Sequence, residues 1–419
     1  MNPSARIVSG LVFALASIRP GSAGDAAVEP TVEPAAEPIT FIVTSDSHYD
    51  AFENEDRNER TRVTIEEMNR IQEARWPDEI GGGPIGHPAG VLVLGDVIDD
   101  GDRVIDGKSQ SAVQWARYVA DFGLDGTDGL LRYPVQECVG NHDGPPQGRE
   151  RFGFSFQAEL KRRNLIRKEK GRISSLSADG LHSSWDWGPV HLVMLNLYPG
   201  SSPHPKTRYS PAYHDPQKSL EFLKADLAER VGKSGRPVIL LHHYDLQGSD
   251  WWHEEERKAY YDAIRDYDVI AIFHGHTGTG VYGWKPGADE KGELAKGGDT
   301  KDDAEGDVRK GDAAKPLDVV NTGQTERGFF LVEVTETQFR VAYRVKRERD
   351  KAWDGTWTWT HFLRKELPRR ACVAPGILSG PRGPGCATAP VRRPAEGTRD
   401  RAPPEGAGPS AEAPVIGKE

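Results

Sequence analysis

Polar residues that can bind metal ions follow five apolar segments of the sequence, directly where each segment ends. The apolar segments span residues 41–44, 91–94, 134–139, 238–241 and 269–273. The polar residues that follow them are, in order, Asp46 and His48, then Asp96, then Asn141, His142 and Asp143, then His242 and His243, and last His274 and His276. Oxygen and imidazole ligands without thiolates suit divalent Mn, Fe or Zn. The pattern therefore predicts a transition-metal site.

The apolar segments alternate with amphipathic ones, and this alternation predicts an α/β protein with helices covering a sheet. The clearest helix is predicted from Asp215 to Val231, with Pro216 at its first position. Residues 183–195 indicate an antiparallel hairpin, so we expect a mixed sheet. Because loops at the carboxyl ends of strands converge in open α/β sheets, the five polar groups should meet in one crevice.

Each polar group has a simpler interpretation when it is taken alone. A histidine after a strand is commonly a solvated loop residue, and an aspartate after glycine is commonly part of a turn. Five such groups in succession, each following an apolar strand, favour a metal site over coincidence.

The order Asp-x-His, Gly-Asp, Gly-Asn-His-Asp, His, Gly-His resembles the calcineurin-like metallophosphoesterase superfamily over about residues 41–345. The resemblance implies a four-layer α/β/β/α sandwich with mixed sheets and a site for two divalent ions. It implies that Asp46 and His48 bind the first metal and that Asp96 bridges both. By the same likeness, the second metal would be bound by Asn141, His242 and His276.

The resemblance also implies a metal-dependent phosphoric ester hydrolase that acts on a small-molecule mono- or diester. Two close cations can clamp the attacking and leaving oxygens at phosphorus, and a metal-bound hydroxide is the expected nucleophile. His142 would contact the phosphate or protonate the leaving oxygen, with Asp143 orienting it. Mn, Fe and Zn all remain candidates for the metal.

One position departs from the pattern. The superfamily usually ends its signature with Gly-His-x-His, whereas this chain reads Gly275-His276-Thr277-Gly278. His274 is a candidate replacement, because residues two apart in an extended segment point the same way, and the alternative is that it only packs nearby. His243 either faces a substrate or supports the ligands from behind, and we favour the supporting role. The missing ligand keeps a second function open: a non-catalytic binding protein with a weakened metal site.

Net charge and the composition of individual segments indicate binding partners, export and domain limits. The formal net charge of −10 argues against general nucleic-acid binding. Residues 1–23 have the pattern of a signal peptide, which predicts export to the periplasm or the medium, and their apolar stretch is too short for a membrane span. We expect a flexible leader at 24–38, the phosphoesterase domain at 39–365 with a disordered insertion at 285–316, and a disordered tail at 366–419. The sequence leaves the oligomeric state open.

Overall fold

The computed structural model describes residues 37–52, 55–101, 103–144, 153–201, 215–247, 253–286, 316–349 and 352–368. The predicted signal peptide and most of the predicted leader, insertion and tail lie outside these residues, so the interpretations of those segments stay predictions. Within the described part of the chain, no helix is both long enough and apolar enough to cross a bilayer.

The described residues form fifteen strands and five α-helices. In chain order these are β1 (Ile39–Thr44), α1 (Glu55–Asn69), β2 (Pro88–Val93), β3 (Val104–Ile105), β4 (Lys108–Ser109), α2 (Ser111–Phe122), β5 (Val135–Glu137), α3 (Phe156–Glu169), β6 (Ser175–Leu176), β7 (Ser183–Trp187), β8 (Val190–Met194), α4 (Ser219–Asp226), β9 (Val238–Leu241), α5 (Glu254–Ile264), β10 (Val269–His274), β11 (Gly280–Trp284), β12 (Leu317–Asn321), β13 (Gly328–Val334), β14 (Gln338–Arg349) and β15 (Ala352–Glu366).

The strands form two mixed sheets and one short hairpin. The first sheet has the order β15-β14-β13-β1-β2-β5, and its strands β1, β2 and β5 run parallel. The second sheet has the order β11-β12-β10-β9-β8-β7-β6, and β8, β9, β10 and β12 run parallel within it. The predicted antiparallel hairpin is β7–β8. The expectation of mixed sheets is therefore confirmed.

Alternation along the strands divides the apolar core into two parts. Phe41 and Val43 of β1 belong to a buried cluster that joins both sheets, together with Ile239 and Leu241 of β9. The residues between them, such as Ile42, belong to a second cluster that includes apolar residues of the helices. Because successive side chains of a strand point to opposite faces, each sheet packs on the other with one face and on helices with the other. The result is the predicted α/β/β/α sandwich.

Buried ionic contacts attach helices to both sheets. On the first sheet, the buried carboxylate of Glu137 in β5 accepts hydrogen bonds from Arg163 and Arg167 of α3. On the second sheet, buried His191 of β8 lies between two carboxylates. Its Nδ1 is 2.7 Å from Asp186, and its Nε2 is 2.8 Å from Asp226 of α4. Burial lowers the pKa of His191, but these two carboxylates raise it above its ordinary value overall.

The helix predicted from Pro216 begins three residues later, at Ser219. Gln217 and Lys218 have φ angles of 52° and 61°, so the chain cannot continue there as a right-handed helix. The helical segment ends as predicted at Val231, through a final turn of π-helix.

Candidate metal centre

The polar loops that follow β1, β2, β5, β9 and β10 meet at one end of the sandwich. A cavity of about 440 Å³ opens there. Its lining includes Asp46, His48, Asp96, Asn141, His142, His276, Thr277, Gly278, Thr279, Gly323, Gln324 and Arg327. The first three strands belong to one sheet and the last two to the other. The site therefore lies at the carboxyl ends of parallel strands from both sheets, as the sequence predicted.

The donor atoms are grouped around the Asp96 carboxylate. On one side, Nε2 of His48 lies 3.7 Å from both Asp46 Oδ1 and Asp96 Oδ2. On the other side, Nε2 of His243 lies 3.2 Å from Asp96 Oδ2 and 3.1 Å from Asn141 Oδ1. Two ligands that each lie about 2.1 Å from a tetrahedral ion are about 3.4 Å apart. These separations therefore fit two neighbouring metal positions that share Asp96.

His276 completes the second group of donors. One ligand atom of its ring, one of Asp96 and one of His243 all lie within 4.8 Å of one another. Its backbone N–H also donates to Asp46 Oδ2 at 3.0 Å, which ties the loop after β10 to the loop after β1.

Glycine residues allow the loops to approach this closely. A Cβ atom on Gly140 would lie 2.9 Å from the Cγ atom of Asp96, and a Cβ atom on Gly275 would lie 2.6 Å from Asp46 Oδ2. Both contacts are closer than real Cβ atoms tolerate, and each involves a side chain of the site. The glycines of the Gly-Asn-His-Asp and Gly-His motifs are therefore required by packing against the ligands.

Four of the grouped residues have left-handed backbone conformations. The φ angles are 49° for Asp46, 42° for His48, 48° for Asp96 and 71° for His276. Such conformations are uncommon for residues other than glycine, and they concentrate where the surrounding structure holds functional side chains in place. Here the strained turns aim the side chains of three separate loops at one another.

His243, and not His242, joins the group, so the prediction for His242 is corrected. In β9 the side chains of Ile239 and Leu241 face the other sheet. Alternation places His243 on that same side, towards the site, and His242 on the helix side. There the ring of His242 packs edge-on against Tyr260 of α5, at 5.8 Å between centroids. His243, for which the sequence favoured a supporting role, is the histidine of this pair that the structure brings to Asp96 and Asn141.

His274 also lies outside the group. As the last residue of β10 it points to the helix side, where its ring stacks on His242 at 6.3 Å. Both of its nitrogens are engaged, Nδ1 by the carbonyl of Gly275 at 2.8 Å and Nε2 by the hydroxyl of Tyr282 at 2.7 Å. The extended segment ends before His276, so the two histidines do not point the same way. His274 therefore does not replace the missing ligand.

His142 lines the cavity beside His48, with ring centroids 4.7 Å apart. Its backbone N–H donates to Asp96 Oδ1 at 2.8 Å, and its Nδ1 lies 2.5 Å from the carbonyl oxygen of Asp99. That carbonyl orients the ring. The expected role of Asp143 is corrected in this respect, because its carboxylate accepts hydrogen bonds from the backbone N–H groups of Val97, Ile98 and Gly140. Asp143 thus fixes the loop of Asp96 against the loop of Asn141.

The charges of the site balance one another. Burial lowers the pKa of His243, but Asp96 and Asp46 raise it to about 9 overall. Burial and the charge of His243 lower the pKa of His276 to about 4. Burial also lowers the pKa of His142, whereas Asp96 and the carbonyl of Asp99 raise it, with a net increase. A cation bound beside Asp96 would replace the charge on His243 and release its proton.

The donor set fits divalent transition metals. Two carboxylates, one amide oxygen and four imidazoles, those of His48, His142, His243 and His276, converge, which is a ligand chemistry that Mn, Fe and Zn share. One ion would be held by Asp96, Asn141, His243 and His276. The other ion would be held by Asp46 and His48 together with the shared Asp96. Gly278 contributes no side chain. A Cβ atom placed there would have Asn321 Nδ2, at 3.8 Å, as its nearest neighbour, so the position faces open space.

A family model described as calcineurin-like phosphoesterase matches residues 39–279. The chain belongs to this family. The family resemblance seen in the sequence is therefore confirmed. Members of this family typically bind divalent metals and act on small phosphate esters. No curated protein matches the chain.

Several solved structures are similar to this calcineurin-like phosphoesterase at low identity. One is GAP50, described as the anchor in the inner membrane complex of Plasmodium, with 8% identity, coverage of 80% of this chain and 90% of that chain, and a TM-score of 0.42. The protein TT1561 of Thermus thermophilus has 10% identity, coverage of 73% and 94%, and a TM-score of 0.37. A 5'-nucleotidase precursor from the same organism has 13% identity, coverage of 79% and 55%, and a TM-score of 0.32.

Proposed function

We propose that this calcineurin-like phosphoesterase is a hydrolase that cleaves a phosphate mono- or diester with the help of two divalent ions. The observation that carries the proposal is the convergence on Asp96, where His48 and His243 approach the same carboxylate oxygen at 3.7 Å and 3.2 Å from opposite groups of ligands. A shared carboxylate is what two neighbouring cations need, because it offsets their mutual repulsion.

The proposed ligands divide into two sets. Asp46 and His48 would hold the first ion, with Asp96 between the two. The second ion would be held by Asn141, His243 and His276. When bound, such ions lower the pKa of water and stabilise the charge that develops on phosphate oxygens. Three protein ligands and an open position are sufficient for a catalytic metal, so Gly278 is compatible with activity.

His142 is the proposed proton donor to the leaving oxygen. Its Nδ1–H donates to the Asp99 carbonyl, so Nε2 is the nitrogen that carries a proton towards a ligand in the cavity. The imidazolium form of His142 is the form that a departing alkoxide requires. Asp143 supports this arrangement indirectly, since it holds the backbone around Asp96 and Asn141.

The experiment measures metal and turnover on one preparation of the full chain. We expect one or two equivalents of Mn, Fe or Zn per chain, and hydrolysis of p-nitrophenyl phosphate or bis(p-nitrophenyl) phosphate. Asp96→Asn should abolish turnover and lower the metal content. Comparing the two substrates decides between monoester and diester preference.

A second function is favoured by Gly278 alone, which removes one ligand from the first metal position. In that case the chain would be a non-catalytic binding protein on the same fold. Metal-free protein without turnover in added Mn or Zn would support it and would exclude the hydrolase.

A further inference from the structure

One cationic side chain lines the cavity without an assigned role. Arg327 is exposed, and no ion pair joins it to any other residue in the described part of the chain. Other arginines close to the site are neutralised: Arg57 contacts the Asp99 carboxylate at 2.7 Å, and Arg60 pairs with Glu326 at 2.6 Å. Arg327 therefore presents an uncompensated positive charge to the cavity.

The backbone around Arg327 is fixed relative to the proposed metal ligands. It lies on the loop between β12 and β13, which passes from one sheet to the other. Thr325 donates to the carbonyl of Ser45 from its N–H at 2.9 Å and from its hydroxyl at 2.7 Å. The hydroxyl of Ser45 donates to the carbonyl of Gly323 at 3.0 Å. Since Ser45 precedes Asp46, this loop and the metal centre form one rigid arrangement.

Hydrogen bonds hold both the backbone N–H and the carbonyl of Arg327. Its N–H donates to the carbonyl of Gln324 at 3.0 Å, and its own carbonyl accepts from the N–H of Lys346 at 3.0 Å. The side chain therefore extends from an anchored turn, and the cost of positioning it on a ligand is limited to its own rotamers.

Most of the remaining cavity lining is uncharged. It includes residues 277–279, Gly323 and Gln324, and the two carboxylates of the lining, Asp46 and Asp96, are proposed metal ligands. The missing side chain at Gly278 leaves this part of the cavity open. An anionic group can thus extend from the metal centre towards Arg327 without meeting a like charge.

We propose that Arg327 binds a phosphate group of the substrate and is a specificity-determining residue of the chain. The inference rests on the proposed phosphoesterase function. A guanidinium forms paired, charge-assisted hydrogen bonds with phosphate oxygens, and it binds a dianion more tightly than a monoanion. The phosphate is either the one that is cleaved or a second phosphate on the same substrate. In both cases a diester with a single negative charge is the poorer substrate.

The test compares Arg327→Gln and Arg327→Lys with Arg347→Gln in the full metal-loaded chain. Arg347 is an exposed arginine paired with Asp354 and is a matched control outside the cavity lining. KM and kcat are measured with p-nitrophenyl phosphate, bis(p-nitrophenyl) phosphate and ADP, and metal content and Tm are measured on each variant. We expect Arg327→Gln to raise KM about tenfold or more, with an intermediate effect of Arg327→Lys and no change in the control.

The outcomes separate the two sources of phosphate. A higher KM for p-nitrophenyl phosphate assigns the contact to the cleaved phosphate, and a higher KM for ADP alone assigns it to a second phosphate. An unchanged KM for both overturns the inference. If the wild-type chain shows no turnover, the proposed function fails, and binding of inorganic phosphate by calorimetry still tests Arg327. Equal phosphate affinity of wild type and Arg327→Gln would then refute the role of this residue.

Discussion

The neighbouring residues His242 and His243 provide the sharpest test of the metal centre. Both are fully buried at the end of β9, yet they face opposite sides of the second sheet. His243 contacts Asp96 and Asn141, whereas His242 contacts the rings of Tyr260 and His274. Replacing each by glutamine changes the same kind of side chain by the same amount, so any difference between the variants reports the direction of the side chain.

We expect His243→Gln to weaken metal binding by at least about 100-fold. Loss of a group that only supports a ligand costs about 10- to 100-fold in affinity, and His243 is itself one of four proposed donors to the second ion. A factor of 100 corresponds to about 2.7 kcal/mol. His242→Gln should lower Tm, because it disturbs a buried aromatic contact, but it should leave the metal affinity within about threefold of wild type.

The assay is competition for Mn or Zn against a chelator of known affinity, with bound metal counted by mass spectrometry. Thermal unfolding of the same samples separates loss of metal from loss of stability. If His242→Gln released the metal while His243→Gln retained it, the assignment by strand alternation would be refuted.

Three further outcomes follow from buried charges. Asp96→Asn should lower turnover at least about 100-fold, measured with p-nitrophenyl phosphate, because the shared carboxylate is lost. His191→Gln should lower the free energy of unfolding by about 3 kcal/mol near pH 6. Since the pKa of His191 is raised on folding, its contribution is complete below the unfolded pKa of about 6.5 and is lost as the pH rises through the folded pKa. Urea titrations near pH 6 and pH 9 check this sign, and a larger deficit at the higher pH would contradict it. Glu137→Gln should cost about 3–5 kcal/mol by the same titrations, because two buried arginines lose their counter-charge.

Apolar runs made most strands of the sandwich predictable. The segment 238–241 is a strand with the same limits in the structure, and the segments at 41–44 and 269–273 differ from β1 and β10 only at their ends. These strands are buried on both faces, so their sequences are continuous runs of branched and aromatic residues. The burial of these strands, which defines the fold, is thus directly visible in their apolar residues.

Elements with a polar surface are not marked by apolar runs. α1 has a sequence rich in charged residues, and Ile65 and Met68 are the buried apolar side chains that anchor it. β15 lies at the edge of the first sheet, and most of its side chains are exposed or half-buried. In both cases pairing with a neighbouring element decides the structure, and local sequence pattern carries little of that information.

The site shows why types of residue are easier to predict than their directions. The five loops could be recognised because each places a ligand type directly after a strand. The choice between His242 and His243 depends on which face of β9 meets the other sheet, and Val238, Ile239, Leu240 and Leu241 are all completely buried. When both faces of a strand are apolar, its sequence does not indicate which face is the inner one. The packing of the two sheets decides which face is the inner one. Moving one position along the strand therefore exchanges a proposed metal ligand for a side chain that packs against Tyr260.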